Sequence, residues 1–312
     1  MKIKPWSLFA VLTLLAASAL LPGCEHLIVL DPKGPVGDSE RSLILVSFGL
    51  MLIVVIPVIF MSLYFPLKYR ASNQKARYEP TWSYSRNIEI AMWLIPIVIV
   101  AILSVLVWKE TKRLDPYLPL DPAARQLPIE VVSLDWKWLF IYPEQNIAVV
   151  NEMVFPVKEP LSFSITSDTV MTSFFIPQLG SQIYAMAGMT TKLHLLADEP
   201  GTYVGQNQQL SGAGFSTMSF KAVAASPQEF AAWVDKVKRS PDTLDSARFA
   251  ALREPSAGDP PAYFSSVEPG LFETIVKRFH HHPGAMESAA AATNAAADAQ
   301  KAPKAAHSGH AD

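Results

Sequence analysis

The chain has 312 residues, enough for about two domains, and half of them are hydrophobic. The mean hydropathy of +0.21 is high for a soluble protein and indicates membrane segments. A formal net charge of −2 excludes the basic surface that nucleic-acid binding requires. The single cysteine, Cys24, excludes an internal disulfide, a thiol zinc site and a thiolate copper site.

The N-terminus has the pattern of a bacterial secretion signal. Residues 1–23 carry two lysines at the start and continue as an apolar run. They end in Leu21-Pro22-Gly23 before Cys24, which resembles a lipobox, the sequence that is cleaved before a lipid-modified cysteine. Pro22 departs from the small or β-branched residue usual at its position, so an uncleaved signal anchor is the alternative. We expect cleavage, with acyl chains on Cys24 that hold the new N-terminus on the outer face of the membrane.

Two apolar segments are predicted to cross the membrane. Residues 42–66 contain no charged residue and are long enough to span a bilayer core of about 30 Å as a helix. Pro57 lies inside this segment and is expected to kink the helix without breaking it. Residues 88–108 form a second span of about the minimum length, with Trp93 and Trp108 at positions typical of membrane interfaces.

The distribution of charge sets the orientation of this hairpin. The connecting loop, residues 67–87, carries five basic residues and one acid, whereas residues 24–41 carry four acids and two basic residues. Because positively charged loops stay in the cytoplasm, both ends of the hairpin are expected outside, in the periplasm. Lipidation at Cys24 requires the same topology.

Glu89 lies at the cytoplasmic start of the second span. An ionisable group that enters the membrane is costly and is a functional candidate by default. The alternative is that Glu89 only interacts favourably with the helix N-terminus while the interface keeps it wet.

Beyond a charged linker, residues 109–127, the pattern changes to short strands. Segments of alternating apolar residues separated by Pro and Gly predict strands at 129–133, 136–142, 161–166, 170–176, 191–197 and 216–224. This pattern favours an antiparallel sandwich or barrel over residues 128–225, in a soluble domain outside the membrane.

One stretch of this domain carries the most specific signal in the sequence. Residues 201–218 read Gly-Thr-Tyr-Val-Gly-Gln-Asn-Gln-Gln-Leu-Ser-Gly-Ala-Gly-Phe-Ser-Thr-Met. They resemble the metal-binding loop of subunit II of the haem–copper terminal oxidases. In the cytochrome c oxidase branch that loop reads Gly-x-Tyr-x-Gly-x-Cys-x-Glu-x-Cys-Gly-x-x-His-x-x-Met and wraps a dinuclear copper centre. The resemblance implies a cupredoxin-type fold.

The frame of that loop is retained, but its ligands are replaced. By resemblance, Asn207 and Ser211 take the positions of the two thiolates, and Gln209 takes that of the carboxylate. Met171 and Phe215 take the positions of the two histidines. Such a centre requires soft sulfur and imidazole ligands, so we expect no metal in this chain. Met171, Phe215 and Met218 are expected to be core residues that fill the former pocket, since Met packs well into irregular gaps.

Two other segments sharpen the resemblance. Residues 136–143 resemble an aromatic segment of subunit II whose first Trp, here Trp136, receives the electron from the donor in the cytochrome c branch. Without a copper centre that role has no acceptor, so packing or docking is expected for Trp136 and Trp138. Residues 176–189 are similar to a loop of the quinol oxidase branch and favour that branch. The resemblance also implies that Glu89 lies at the mouth of a proton-uptake channel that runs into subunit I.

The C-terminal residues are predicted to form a helical arm, 226–279, similar to the one that quinol oxidase subunits II carry. Ser226-Pro227-Gln228-Glu229 has the pattern of a capping box and opens a helix that reaches about Arg239. Shorter helices are expected at 244–252 and 269–279. The tail, residues 280–312, is rich in alanine and is expected to be disordered. A loose metal site at its histidines is the alternative to a solvated tail.

Together these features predict a membrane α-helical hairpin followed by an all-β cupredoxin-like periplasmic domain with a C-terminal helical arm. The resemblance implies the non-redox subunit II of a bo-type ubiquinol oxidase in the bacterial inner membrane. Its complex would oxidise ubiquinol, reduce O2 to water and move protons outward, with two haems and one copper in subunit I. The expected partners are subunit I, subunits III and IV and the lipid bilayer.

Three alternatives remain open at this point. A menaquinol oxidase subunit II would share all of these features. A copper-carrying cytochrome c oxidase subunit II is opposed by Asn207, Ser211 and Phe215. A free-standing lipoprotein that binds a ligand in the β domain belongs to a different class, and it would purify without a haem-bearing partner.

Overall fold

The computed structural model describes residues 27–75 and 79–280. The expected secretion signal, Cys24 and residues 281–312 of the expected tail lie outside the described residues. Residues 76–78 of the connecting loop lie outside them too.

Two long helices form the hairpin, α1 (Pro35–Lys68) and α2 (Arg86–Arg113). Both are long and apolar enough to cross a membrane, and their apolar surfaces are exposed within this chain. Each helix extends beyond the apolar segment by one or two turns of polar residues. Helix α1 continues through Pro57, which agrees with the expectation of an unbroken span, and α2 continues through Pro96.

The described part of the chain after the hairpin contains eleven strands. They are β1 (Leu127–Leu134), β2 (Lys137–Tyr142), β3 (Ile147–Val150), β4 (Glu152–Pro156), β5 (Leu161–Ser167), β6 (Thr172–Phe174), β7 (Ile183–Ala185), β8 (Thr191–Leu195), β9 (Gly201–Gln206), β10 (Ser219–Ala225) and β11 (Ala262–Phe264). A six-stranded sheet has the order β11-β3-β2-β1-β5-β8, a three-stranded sheet has the order β4-β10-β9, and β6 pairs with β7.

The two larger sheets are mixed, so the expectation of an antiparallel domain is wrong in part. Strands β1 and β5 run parallel, with Leu127 opposite Leu161, and β4 and β10 run parallel as well. Parallel neighbours need a long crossover connection. Here β2, β3 and β4 lie between β1 and β5 in the chain, and β4 belongs to the other sheet.

Strand β2 is buried on both faces. Trp138, Phe140 and Tyr142 point into an inner core between the sheets, where the rings of Phe174 and Phe220 stack with centroids 5.1 Å apart. The alternate residues of β2 point the other way because side chains alternate along a strand. They enter a second cluster that Phe249 and Ile275 of the arm complete; the members of β2 in it are Leu139 and Ile141.

The last two helices of the arm therefore cover the outer face of the six-stranded sheet, whereas its first helix packs against the inner core through Val234 and Val237. The arm consists of α3 (Pro227–Lys238), α4 (Ser246–Leu252) and α5 (Leu271–His280). The capping box at the start of α3 is confirmed, since Ser226 Oγ accepts a hydrogen bond from the backbone of Glu229 and the Glu229 carboxylate accepts one in return. The first residue of the expected tail, His280, belongs to α5.

The hairpin and the β domain meet where α1 begins. The backbone N–H of Lys33 donates to the Gln178 carbonyl at 2.7 Å and that of Gly37 donates to the Leu179 carbonyl at 3.1 Å. The Glu40 carboxylate accepts hydrogen bonds from the backbone and side chain of Ser181. The start of the first membrane helix is thus part of the β domain's structure.

Candidate functional site

The stretch that resembles a metal-binding loop joins two antiparallel strands. Strands β9 and β10 pair from Gly201 opposite Ala224 to Gln206 opposite Ser219. The loop leaves β9 at Asn207 and returns through a short 3-10 turn at Phe215–Thr217. Because the N–H of Asn207 donates to the Met218 carbonyl at 3.1 Å, the hairpin brings the first and last positions of the loop together.

The Asn207 side chain lies at the centre of the loop's hydrogen bonds, and the residue is 4 % exposed. Its Oδ1 accepts hydrogen bonds from the backbone N–H of Ser173 and of Gln209, both at 2.9 Å. Its Nδ2 donates to the Gln209 carbonyl at 2.8 Å, to Ser211 Oγ at 3.1 Å and to Met218 Sδ at 3.4 Å. One amide thus links the loop to itself and to strand β6.

The other expected ligand positions are only partly gathered around Asn207. Ser211 and Met218 contact its side chain, and Gln209 does so through its backbone. Phe215 is half-buried. Met171 is 41 % exposed, so the expectation that it fills the former pocket is wrong. It lies just before β6, with its side chain at the surface.

Close contacts or backbone conformation require glycine at two frame positions, Gly205 and Gly212, and at Gly214 between frame positions. A side chain at Gly205 would lie 2.0 Å from the Phe220 ring of the inner core, and one at Gly214 would lie 2.4 Å from the ring of Trp136. Gly212 has φ +107°, a conformation that favours glycine. Packing and backbone conformation therefore account for these glycines in this chain without a metal.

Trp136 lies in a tight turn between β1 and β2 with φ +63°, so its expected position inside a strand is wrong. Positive φ is uncommon for a residue with a bulky side chain. The conformation lays the indole over Gly212 and Gly214, and its N–H donates to the Ser211 carbonyl at 3.0 Å. Trp138, by contrast, is fully buried between Phe174 and Phe220.

These residues do not fit a dinuclear copper centre. The space between β6 and the loop holds an amide whose oxygen and nitrogen are both engaged, and the remaining donors are a hydroxyl and a thioether. The thioether of Met218 is soft enough for copper, but one thioether among neutral oxygen and nitrogen donors cannot replace the two bridging thiolates and the imidazoles of such a centre. Within residues 27–75 and 79–280, no group of three or more His, Cys, Asp or Glu side chains is placed to hold a metal ion.

Glu89 is far from this loop in the chain, in the first turn of α2, and it is exposed. Its backbone N–H donates to the Ser85 carbonyl at 3.0 Å. The hydroxyl of Tyr84 hydrogen-bonds its carboxylate, which raises the pKa of Tyr84. The structure thus places a carboxylate and a phenol together at the end of the hairpin opposite the β domain.

Known families match both parts of the chain beyond the hairpin. The family described as cytochrome c oxidase subunit II, periplasmic domain, matches residues 130–225, and the cytochrome oxidase aromatic-rich motif matches residues 238–283. The cytochrome bo(3) ubiquinol oxidase subunit 2 of Pseudomonas aeruginosa is 54 % identical over 288 residues, covering 92 % of this chain and 86 % of the relative. The chain belongs to the ubiquinol oxidase subunit 2 family.

Two further members of this quinol oxidase group show its range. The ubiquinol oxidase subunit 2 of Acetobacter aceti is 52 % identical over 283 residues, covering 90 % of this chain and 92 % of the relative. The quinol oxidase subunit 2 of Bacillus subtilis is 38 % identical over 251 residues, covering 80 % and 78 % respectively. Each match extends well beyond the β domain alone.

Several charged side chains that no sequence motif indicated connect the β domain to the C-terminal arm. Lys137, between the two tryptophans, is 3 % exposed. Its ammonium group donates to the Glu254 carbonyl at 2.9 Å and pairs with Asp259 at 3.4 Å. Asp168 is buried and pairs with Arg253 and, at 2.8 Å, with Arg278 of the arm. Each pair joins residues far apart in sequence, so no local pattern could have revealed it.

Proposed function

We propose that this chain is the non-redox subunit II of a ubiquinol oxidase complex, which oxidises ubiquinol, reduces O2 to water and moves protons across the membrane. The observation that carries the proposal is the hydrogen-bonded amide of Asn207 at the centre of the loop, together with family membership. In a chain that relayed electrons from a soluble donor, this position would hold a metal ligand.

The missing relay is consistent with the donor that the relatives' names give. A quinol is soluble in lipid and can reach subunit I from within the bilayer, so a metal centre in the periplasmic domain has no electron to pass. On this proposal the haems and the copper belong to subunit I. The chain braces the periplasmic face of that subunit, and subunits III and IV complete the assembly.

The proposed location is the bacterial inner membrane, with the β domain in the periplasm. The charge of the connecting loop supports this orientation, and the apolar surfaces of α1 and α2 supply the membrane-embedded part. Cys24 is proposed as the site of lipid attachment. Mass spectrometry of the mature N-terminus tests this directly, since an unmodified or uncleaved N-terminus would contradict lipid attachment at Cys24.

Purification of the complex through a tag on this chain tests the function. We expect a haem-bearing partner to co-purify in mild detergent, and the preparation to consume O2 with ubiquinol as donor. Faster turnover with menaquinol than with ubiquinol would assign the chain to a menaquinol oxidase instead. Recovery of the chain without haem would contradict the proposal and favour a free-standing lipoprotein.

Glu89 is proposed to take part in proton entry on the cytoplasmic side. The position of Glu89 supports this role, because its exposed carboxylate lies in the first turn of α2 with the phenol of Tyr84 beside it. We expect Glu89→Gln to lower steady-state turnover in the assembled complex, whereas Glu79→Gln removes the same charge from the connecting loop and serves as the control. Equal turnover in the two variants would remove the role.

A further inference from the structure

A cavity of about 610 Å³ lies where the hairpin meets the β domain. We call it the junction cavity. Its walls come from the start of α1, the end of α2, the linker that follows α2, and strand β8 with the loop at Ser181. The loop at Asn207 does not contribute to it, so it is a separate feature of the molecule.

The lining of the junction cavity changes from apolar to charged along the membrane normal. Leu43 and Leu106 line one end and belong to the apolar segments of the two helices. The charged residues of the lining, Glu40, Glu110, Arg113 and Asp115, are at the other end, a turn or so beyond those segments. The cavity therefore crosses the boundary between hydrocarbon and the polar interface, on the side of the membrane that carries the β domain.

Contacts within the chain fix the walls of the cavity. Ser181 donates to Oε1 of Glu40 from its backbone and its hydroxyl, which ties the loop to α1. The His194 ring of β8 donates from Nδ1 to the Pro116 carbonyl at 3.0 Å, which ties the linker to the sheet. A site held open in this way is largely preformed, as ligand sites generally are.

The charges at the rim have both signs. Arg113 is 66 % exposed and its pairing with Glu110, at 3.7 Å, is loose, so its guanidinium is available to a phosphate. Arginine is well suited to phosphate because it presents several N–H donors in a planar fork. The carboxylates of Glu40 and Glu110 suit an ammonium group. The linker adds exposed apolar side chains at the mouth, Leu118 at 54 % and Leu120 at 39 %.

From this arrangement we propose that the junction cavity binds one glycerophospholipid with a zwitterionic ethanolamine headgroup. The phosphate lies on Arg113, the ammonium lies near Glu40 and Glu110, and an acyl chain descends between α1 and α2 past Leu43. A neutral quinone head would offer Arg113 no anion to add to its loose pair with Glu110. A glycerol headgroup, which is anionic, would bring a phosphate to Arg113 but no cation to the acidic side of the rim, where Glu40, Glu110 and Asp115 lie.

Photocrosslinking tests the proposal on the full chain in its purified complex, reconstituted into vesicles. The probes are phosphatidylethanolamine and phosphatidylglycerol that carry a diazirine in one acyl chain. We expect the ethanolamine probe to label the segments around Leu43 and Leu106, and to do so more strongly than the glycerol probe. Equal labelling by both probes, or labelling spread evenly over the helices, would show ordinary bilayer lipid only and overturn the proposal.

Paired variants separate the site from the helix surface. Arg113→Gln is expected to weaken labelling about tenfold, the effect of losing one charge-assisted hydrogen bond. Lys112→Gln removes the same charge one residue earlier, where the ammonium lies over the Trp108 ring and does not line the cavity. It is expected to change nothing. A similar loss in both variants contradicts the assignment.

A second pair tests the volume of the cavity. Ser47→Phe fills its apolar end, whereas Val46→Phe places the same ring on an exposed position outside it. We expect labelling to be lost only in Ser47→Phe, with the haem content of the complex unchanged in both. Extraction of a quinone in place of phospholipid from the wild-type complex would also overturn the proposal. These outcomes do not depend on which quinol the complex oxidises.

Discussion

Asn207 shows how a single side chain can stabilise a loop that its relatives in the cytochrome c branch organise around metal. Its oxygen receives two backbone N–H groups and its nitrogen reaches a carbonyl, a hydroxyl and a thioether. A buried amide is costly unless its polar atoms are paired, and here they are. The residue therefore holds the loop together through hydrogen bonds alone, which supports the proposal that no metal is needed there.

We expect Asn207→Ala to destabilise the β domain by about 2–3 kcal/mol, because it leaves the buried N–H groups of Ser173 and Gln209 without acceptors. Thermal unfolding and hydrogen exchange at those two amides measure the effect. Gln208→Ala is the matched control, since the Gln208 side chain is exposed and only its backbone N–H takes part in the network. Equal loss in both variants would contradict the role of Asn207.

The sequence identified the loop but not its present structure. The spacing of Gly201, Gly205 and Gly212 was sufficient to recognise the frame. The network around Asn207 was not visible, because it depends on Ser173, which lies 34 residues away. The same limit explains the error at Met171, whose hydrophobic character indicated burial while the geometry of β6 turns it to the surface.

The side chain of Glu130 makes the free energy of unfolding depend on pH. Burial of Glu130 on β1, and then the negative charge of Glu273 on α5, raise the pKa of Glu130 from 4.5 to about 7. Between these values the folded chain holds a proton that the unfolded chain has released. The free energy of unfolding therefore falls as pH rises through this window and becomes constant above it.

We predict that Glu130→Gln abolishes this decline, so that its advantage in melting temperature over the wild type grows between pH 4.5 and about 7. Glu273→Gln removes the like charge and should move the end of the decline to lower pH. Melting temperatures of the three proteins across this range provide the measurement. Parallel profiles for wild type and Glu130→Gln would rule the effect out.

At the scale of elements, the arm is needed because the six-stranded sheet is hydrophobic on both faces. Strand β2 sends Leu139 and Ile141 outward, and helices α4 and α5 cover them with Phe249 and Ile275. The sequence predicted the arm's helices from capping and composition. It did not predict which surface they cover. Residues 138–142 of β2 are all hydrophobic, so their pattern does not indicate which face of the strand points to the inner core.

Asp168 attaches this arm to the β domain. Burial raises the pKa of its carboxyl, and the guanidinium groups of Arg253 and Arg278 oppose that shift. We expect Asp168→Asn to weaken docking of α4 and α5 by about 1–3 kcal/mol, a value kept modest because both arginines stay partly solvated. Faster proteolysis and hydrogen exchange confined to the arm would report it.

The control for this experiment is Asp235→Asn, which removes an exposed carboxylate from α3. It should leave the protection of α4 and α5 as in the wild type. If Asp168→Asn also leaves that protection unchanged, hydrophobic packing alone holds the arm, and the ion pairs contribute nothing measurable.

For the whole molecule, the contact between hairpin and β domain decides whether the membrane anchor and the periplasmic domain move as one body. Gly34 lies against the sheet so closely that a side chain there would stand 2.1 Å from the Leu196 carbonyl oxygen. The ion pair between Lys33 and Glu199, at 3.0 Å, lies beside it. Backbone contact of this kind leaves no room for adjustment.

We predict that Gly34→Ala loosens this contact by about 1–3 kcal/mol, the usual range for overpacking. Its φ of −159° suits any residue, so the effect comes from the clash alone. Gly49→Ala, inside the helix that Gly34 caps, has nothing within 4 Å of the added methyl group and is the control. Hydrogen exchange at the amides of Gly37 and Ser181 measures the difference, and equal exchange in both variants would contradict it.

Whether this chain holds copper is measured by the copper content of the purified complex and of the isolated chain, together with the near-infrared absorption of a mixed-valence copper pair. Because Asn207 closes the loop, we expect copper only in company with the haem-bearing subunit and no near-infrared band from this polypeptide. Stoichiometric copper in the isolated chain, with that band, would contradict it.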